Sequence, residues 1–351
     1  MRERPARARR CTTEPDATLA MLSWLGRVLR RARGRRVAPS EQAAPPTASE
    51  DGLPFESVPP QKAFLGGEVG GADSGTQLEV RFFEWLVGAT LPAGATEVPG
   101  EARLLAHLDA VSRSDEMRED LLPRARAVIP ELLHALREQT QSLRALSSRV
   151  AHDPNLVVEV IRLANAVGYR AEGPVTDLMQ AISRLGTDGL RRAIARVLLK
   201  PIFDAQADPL LGRATQRLWQ HSELQAGLCL QQAVSAGLDP FESYLAGLMH
   251  NVGWTAVFRA IDRSPSGAPP CFSRAFVHAL APRRERLFAL LVGSWQLNDA
   301  LTGLAQEILD VGFSNCRRPL AQLLLYADRA AAEQVLQPPV HSSPSTDSAG
   351  V

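Results

Sequence analysis

The residues of this chain best suited to chemistry are two histidines, an asparagine and an aspartate that stand far apart in the sequence. His250 and Asn251 are adjacent in the apolar stretch 241–258, FESYLAGLMHNVGWTAVF, and His221 precedes them in LWQHS. Asp328 follows in LLLYADRAA. Imidazoles and carboxylates can ligate metal ions or move protons, whereas a carboxamide brings no charge. These residue types permit either a metal site or a buried polar cluster.

A structural interpretation of these residues needs no metal. Buried histidines hydrogen-bonded to Asn251 would form a satisfied polar cluster that ties helices together. Asp328 can instead pair with the neighbouring Arg329 or cap a helix locally. Gly247 and Gly253 flank the His-Asn pair, at positions where helices can approach closely. We favour the structural role over metal ligation.

Other catalytic and cofactor signatures are missing from the sequence. It has no GxGxxG after a strand, no phosphate-binding GxxxxGK[ST] and no GxSxG turn. The four cysteines are widely separated and form no CxxC pair, which predicts reduced thiols without zinc. We expect no cofactor.

Composition and charge limit the partners. Hydrophobic residues make up 45% of the 351 residues and aromatic residues only 5%, which favours packed helices. Residues 1–37 contain eleven Arg against three acidic residues, a net charge of +8, so that the rest of this +1 chain carries −7. An acidic globular part does not predict nucleic-acid binding. The apolar runs are too short to cross a bilayer, and we expect a cytoplasmic protein.

The sequence divides into four parts. Residues 1–76 are predicted to be a disordered basic arm followed by a linker rich in Pro and Gly. Within it, residues 18–37 could instead form a basic amphipathic helix that makes weak contact with an anionic membrane surface. Residues 77–112 are predicted to be a helical lead-in that packs on a main helical domain, 113–335. A disordered tail, 336–351, follows.

Helix signals run continuously through the main domain. Asp153-Pro154 predicts a helix start, because Asp accepts orphan amide hydrogen bonds at the N-cap and Pro loses no bond at the first helical position. Thr176 is predicted to cap a helix that ends at Gly186, and Thr187 to cap the next. With no period-two pattern of sufficient length, we predict an all-α fold.

Several ordered landmarks resemble the HDOD family, the HD-related output domains of bacterial signalling proteins. The segments DPNLVVEVIRLANAVGYR, from 153, and GPVTDLMQAISRLGTDGLRRAIARVLL, from 173, are similar to the N-terminal half of such domains. The positions that match family landmarks are Asp153, Pro154, Leu163, Ala164, Asn165, Gly186, Trp219, Gly247 and Gly253. This resemblance implies an HD-like multi-helix bundle.

The resemblance also indicates which residues would correspond to metal ligands. In the wider HD superfamily of metal-dependent phosphohydrolases, an early His, a His-Asp pair on a helix and a distant Asp hold divalent metal. Here His221, His250 and Asp328 match three of these positions, and Asn251 takes the fourth. An amide lacks the charge that compensates a cation, so the resemblance implies a degenerate site with no metal, or at most weak binding by those three residues.

Three functional hypotheses follow. The favoured one is a non-catalytic signal-transduction module, not an enzyme, that binds a protein partner or a small-molecule signal such as a nucleotide second messenger. The second is a weak metal-dependent phosphohydrolase that acts on a nucleotide or cyclic dinucleotide. The third is a membrane-surface adaptor that uses residues 18–37, and it is compatible with the first.

Overall fold

The computed structural model of the chain describes residues 72–92, 98–137, 143–165, 173–204, 208–269 and 271–337, all within one compact unit. In these ranges the chain forms α-helices, one short 3₁₀ turn and no strand, and the all-α prediction is confirmed. The predictions for the basic arm up to residue 71, for the membrane helix at 18–37 and for the tail from 338 lie outside the described residues. Within the described ranges, no helix has the length and apolar character needed to span a membrane.

The helices are numbered in chain order. They are α1 Ala72–Val87, α2 Glu101–Arg113, α3 Asp115–Leu121, α4 Ala125–Arg137, α5 Leu143–His152, α6 Pro154–Ala164, α7 Leu178–Phe203, α8 Pro209–Ala233, α9 Pro240–Met249, α10 Val252–Asp262, α11 Arg274–Trp295, α12 Asp299–Val311 and α13 Pro319–Leu336, with the 3₁₀ turn Phe313–Asn315 before α13. Helix α1 begins five residues ahead of the predicted start of the lead-in.

The helices bury two hydrophobic cores. The larger core is formed by α1 to α4, the second half of α7 and α8 to α13, with Phe83, Trp254 and Phe258 among its fully buried side chains. The smaller core joins α5, α6 and the first half of α7 through residues such as Val160. Leu198 packs against both cores, so α7 connects them.

Short polar side chains set the helix starts. Asp153 caps α6, because its Oδ1 accepts the amide of Asn155 at 2.8 Å, and Pro154 occupies the first turn as predicted. The predicted cap at Thr176 is wrong. Asp177 caps α7 by accepting the amide of Gln180 at 3.0 Å, since a carboxylate is the stronger acceptor one residue closer to the helix.

Gly186 interrupts α7. Its φ of 62° and ψ of −168° are non-helical, and only Gly adopts a positive φ of this kind without strain. The predicted break therefore falls at this residue, although the helix resumes directly after it.

The His-Asn pair lies between two helices rather than inside one. Helix α9 ends at Met249 and α10 begins at Val252, and a tight turn at 250–251 joins them. The turn follows because Asn251 has a φ of −72° and a ψ of 1°, outside the helical range. This junction directs both side chains into the core, where His250 is 3% exposed and Asn251 fully buried.

Two glycines bring the neighbouring helices close to this junction. A Cβ at Gly247 would lie 2.8 Å from the Cα of Ala226 in α8. A Cβ at Gly253 would lie 2.7 Å from the carbonyl oxygen of Arg284 in α11. Both positions exclude a larger residue, and the close helix approach predicted there is observed.

Candidate functional site

Four side chains from three parts of the fold meet in the larger core. Helix α8 provides His221, the α9–α10 junction provides His250 and Asn251, and α13 provides Asp328. Hydrogen bonds and ion pairs link them into one group, which we call the HN cluster. His221 and Asn251 are fully buried, whereas the side chain of Asp328 is 21% exposed.

Helix α8 is fixed where it begins. The carboxylate of Asp262, at the end of α10, accepts the amides of Leu210 and Leu211 in the first turn of α8. These amides have no partner within the helix, so the contact both caps α8 and ties it to α10. The register of α8 then places His221 beside the His-Asn junction.

Both ring nitrogens of His221 are engaged. Nδ1 accepts a hydrogen bond from Asn251 Nδ2 at 2.8 Å, and Nε2 donates to the backbone carbonyl oxygen of Asp328 at 3.2 Å. This pattern assigns the neutral tautomer protonated on Nε2. Burial lowers the pKa of His221 to about 4, despite the opposing influence of the Asp328 carboxylate. His221 is therefore a neutral, structurally bonded imidazole at physiological pH.

The hydrogen bonds of its amide nitrogen fix the orientation of the Asn251 side chain. Its Nδ2 lies within hydrogen-bond distance of three acceptors, which are Leu218 O at 3.2 Å, His221 Nδ1 at 2.8 Å and Ser222 Oγ at 3.0 Å. Its Oδ1 has no hydrogen-bond partner. Exchanging the two atoms would set an oxygen against the Leu218 carbonyl, so the network requires the amide nitrogen at this point.

His250 lies between Asp328 and two aromatic rings. Its Nδ1 is 3.2 Å from Asp328 Oδ1 and 2.9 Å from the amide nitrogen of Gln225. The same amide nitrogen of Gln225 lies 3.5 Å from the backbone carbonyl oxygen of Leu324. Phe288 and Phe313 enclose the imidazole, with ring centroids 5.1 and 5.2 Å away.

A buried arginine completes the electrostatics of the cluster. Arg284, on α11, places NH1 3.8 Å from Asp328 Oδ2, and its guanidinium lies 5.2 Å from the Trp254 ring. Burial alone would raise the pKa of the Asp328 carboxyl, but His250 and Arg284 outweigh it and hold the pKa well below its usual range. The Asp328 carboxylate thus lies beside a protein cation, which is also 3.6 Å from the carboxylate of the neighbouring Glu285.

These groups do not fit a resident divalent metal. Metal ligation needs free lone pairs and uncompensated negative charge. Both nitrogens of His221 are bonded. Asn251 has a free acceptor in Oδ1, but an amide oxygen adds no charge. Asp328 is the cluster's one carboxylate, and Arg284 stands beside it. Among the described residues, no three His, Cys, Asp or Glu side chains are arranged to hold a metal ion.

Sequence reasoning missed Gln225 and Arg284. Gln225 lies one helical turn after His221 on α8, and this spacing could have signalled a polar stripe. Arg284 shares the buried face of α11 with Leu280, Leu287 and Phe288. A charged residue at helical spacing among apolar ones could have signalled a buried ion pair.

The remaining landmark residues organise helix packing away from these contacts. Asn165 ties the end of α6 to Val175, because its side chain donates to Val175 O at 2.7 Å and accepts from Val175 N at 2.7 Å. Ala164 is buried and Leu163 half-buried in the smaller core. Trp219 packs edge-on against Phe203, with centroids 5.4 Å apart.

Fold and cluster together define an all-α domain with an incomplete HD-like constellation at its centre. The family model of the HDOD domain matches residues 122–307, and the chain belongs to the HDOD family.

Known proteins similar to the chain include two solved structures. An HDOD domain protein of unknown function from Geobacter sulfurreducens is 22% identical, with a TM-score of 0.48 over 69% of this chain and 83% of that one. A Shewanella amazonensis protein, provisionally named a metal-dependent phosphohydrolase, is 17% identical, with a TM-score of 0.50 over 68% of this chain and 84% of its own. The second likeness concerns the fold alone.

A curated relative is an uncharacterized protein of Treponema pallidum (strain Nichols). It is 22% identical over 158 residues, which are 44% of this chain and 30% of the relative. The chain therefore spans less than a third of the length of that relative.

Proposed function

We propose that this chain is a non-catalytic regulatory module of a cytoplasmic signalling pathway, which binds a protein or a small-molecule signal through its helical domain. Membership of the HDOD family supports a role related to the HD superfamily. The HN cluster supports the non-catalytic part, because both ring nitrogens of His221 are hydrogen-bonded and Arg284 lies beside Asp328.

The observation that carries the proposal is the pairing of Arg284 with Asp328. A hydrolase of the HD type needs a cation whose bound water is made acidic enough to attack phosphorus. In the HN cluster, the guanidinium lies 3.8 Å from the carboxylate that would help to hold that cation. A metal ion would therefore meet a like charge beside the carboxylate of Asp328.

Metal content and phosphodiesterase activity test this proposal together. The full-length protein is exposed to manganese, iron, zinc or nickel, desalted and analysed for bound metal, then assayed on a generic phosphodiester and on cyclic dinucleotides. We expect substoichiometric metal and no turnover. One tightly bound metal per chain with turnover that depends on His250 would overturn the proposal.

A second candidate is a weak metal-dependent phosphohydrolase acting on a nucleotide. It is favoured by the proximity of its three candidate ligands, since Asp328 Oδ1 lies 3.2 Å from His250 Nδ1 and 3.9 Å from His221 Nε2. This candidate requires Arg284 to move away. It predicts metal-dependent turnover that is lost in both His221→Ala and His250→Ala.

A small-molecule signal differs from a substrate in that the protein binds it without converting it. Equilibrium dialysis of the full chain against a cyclic dinucleotide measures binding, and chromatography of the same solution measures hydrolysis. Binding without hydrolysis supports the regulatory module, whereas conversion of the nucleotide supports the second candidate.

A further inference from the structure

Helix α1 lies across the helices that carry the HN cluster. It packs against α8, α11 and α13, which provide His221, Arg284 and Asp328 respectively. Its residues, 72–87, precede the range 122–307 that matches the family model. The helix therefore lies outside the region that the family model matches, and it packs on the helices that carry the HN cluster.

One side chain of α1 reaches the cluster. The ring of Phe82 lies 4.5 Å from the imidazole of His221, centroid to centroid, and 6.4 Å from the Trp254 ring. Phe82 is itself 4% exposed and His221 fully buried. An apolar ring thus occupies the side of His221 that faces α1.

Other contacts fix α1 in this position. Phe83 and Leu86 are fully buried in the larger core. Arg217, on α8, donates from NH1 to the Leu86 carbonyl oxygen at 3.2 Å, and Glu79 lies 3.4 Å from His278 Nδ1 of α11. Phe83 and Leu86 anchor the helix independently of Phe82, so we expect α1 to stay attached when Phe82 is shortened.

We propose that α1 is a built-in cover of the HN cluster, and that Phe82 closes the approach to His221 against solutes. A charged phosphate ester would have to displace this ring and leave water to reach the imidazoles, which is costly. The cover concerns access alone, so it holds whether the cluster is inert or keeps residual chemistry. It directs the search for the bound signal to surfaces away from the HN cluster.

Acylation of histidines by diethyl pyrocarbonate, followed by peptide mass spectrometry, tests the cover in the full-length protein. We expect His221 to resist the reagent in the unmodified protein, while the exposed His152 reacts. The comparison is made in an Asn251→Ala background, because the reactive lone pair of His221 Nδ1 otherwise accepts a hydrogen bond from Asn251. In this background, adding Phe82→Ala should raise acylation of His221 by about tenfold or more, since the path is opened in the native state rather than by rare local unfolding. His152 should react at an unchanged rate.

Three variants make the test specific. Phe82→Leu refills most of the space and should keep His221 protected. Arg81→Ala, a change of an exposed residue on the same helix, should also keep it protected. Phe83→Ala removes a buried anchor, and circular dichroism identifies any loss of fold it causes.

The proposal is overturned by any of three results. His221 could react readily in the unmodified protein, stay protected when Phe82→Ala is added to a folded Asn251→Ala protein, or become equally reactive when Phe83→Ala and Phe82→Ala are each added to that background. The third result would show that detachment of the whole helix, and not the Phe82 ring, controls access. None of these results bears on metal binding, so they are separate from the test of the proposed function.

Discussion

The amide nitrogen of Asn251 lies 3.2 Å from the backbone carbonyl oxygen of Leu218, inside the fully buried part of the core. The carbonyl accepts, and the amide donates. An aspartate in the same rotamer would place a carboxylate oxygen against this carbonyl oxygen, with no proton between them. The Asn residue is thus built into the packing of α8, and reverting it to the HD-type residue conflicts with the helix it touches.

Asn251→Asp should therefore lower the free energy of unfolding by about 2–4 kcal/mol at pH 8, because it buries a charge and loses the donor to Leu218. Urea denaturation followed by circular dichroism measures the change. Asn315→Asp is a matched control, since the exposed Asn315 makes a similar amide-to-carbonyl bond, to Val311 at 2.9 Å. A variant at 251 as stable as the control would contradict the assigned orientation.

His221 should make stability fall as the pH is lowered. Its pKa in the folded protein is about 4, below the ordinary 6.5, so the unfolded chain takes up a proton first and is favoured as the pH falls from about 6.5 to 4. The shift corresponds to roughly 3 kcal/mol. Asp328 contributes in a lower window, because its lowered pKa leaves it ionised in the folded state below the ordinary pKa of 3.8.

Urea denaturation at several pH values between 7 and 4 measures this dependence. In His221→Gln the proton-binding group is gone, and the curve of unfolding free energy against pH should flatten in that window. An unchanged slope in the variant would show that another group is responsible.

Arg284→Met should expose the role of the buried cation. The side chain keeps its apolar packing on Trp254 but no longer balances Asp328, and we expect a loss of about 2–4 kcal/mol in unfolding free energy. Arg286→Met, an exposed change on the same helix, should be nearly neutral. Thermal and urea unfolding of the two variants provide the comparison, and equal stabilities would mean that Arg284 does not compensate Asp328.

Gly247→Ala should be destabilising although Ala favours helices. The added Cβ would meet the backbone of Ala226 at 2.8 Å, so α8 and α9 must separate, at a cost of about 1–3 kcal/mol. Gly227→Ala, on α8, meets nothing within 4 Å and should stabilise by about 0.5–1 kcal/mol through helix propensity. The melting temperature of Gly247→Ala should fall, and that of Gly227→Ala should rise.

The sequence was most informative where a local rule acts alone. Asp153-Pro154 predicted the start of α6, because capping needs only neighbouring residues, and the helical periodicity predicted the all-α class. The cap at Thr176 failed because two adjacent polar residues competed and the carboxylate of Asp177 was the better acceptor.

Family landmarks predicted which residues of the cluster would meet, but not what surrounds them. The resemblance drew attention to His221, His250 and Asp328, which the structure brings together. Arg284 and Phe82 were not anticipated, since a buried charge and a ring from a distant helix reach the cluster only through tertiary packing. These two residues change the interpretation of the site, the first by its charge and the second by closing it.

Anomalous X-ray diffraction is the most direct measurement of the central claim, that the HN cluster does not hold a metal ion. Crystals of the full chain grown without added metal salts would be measured above the zinc, iron, manganese and nickel absorption edges. We predict no anomalous peak among His221, His250 and Asp328, with Arg284 in contact with the carboxylate. A strong peak there, with Arg284 displaced, would contradict the account.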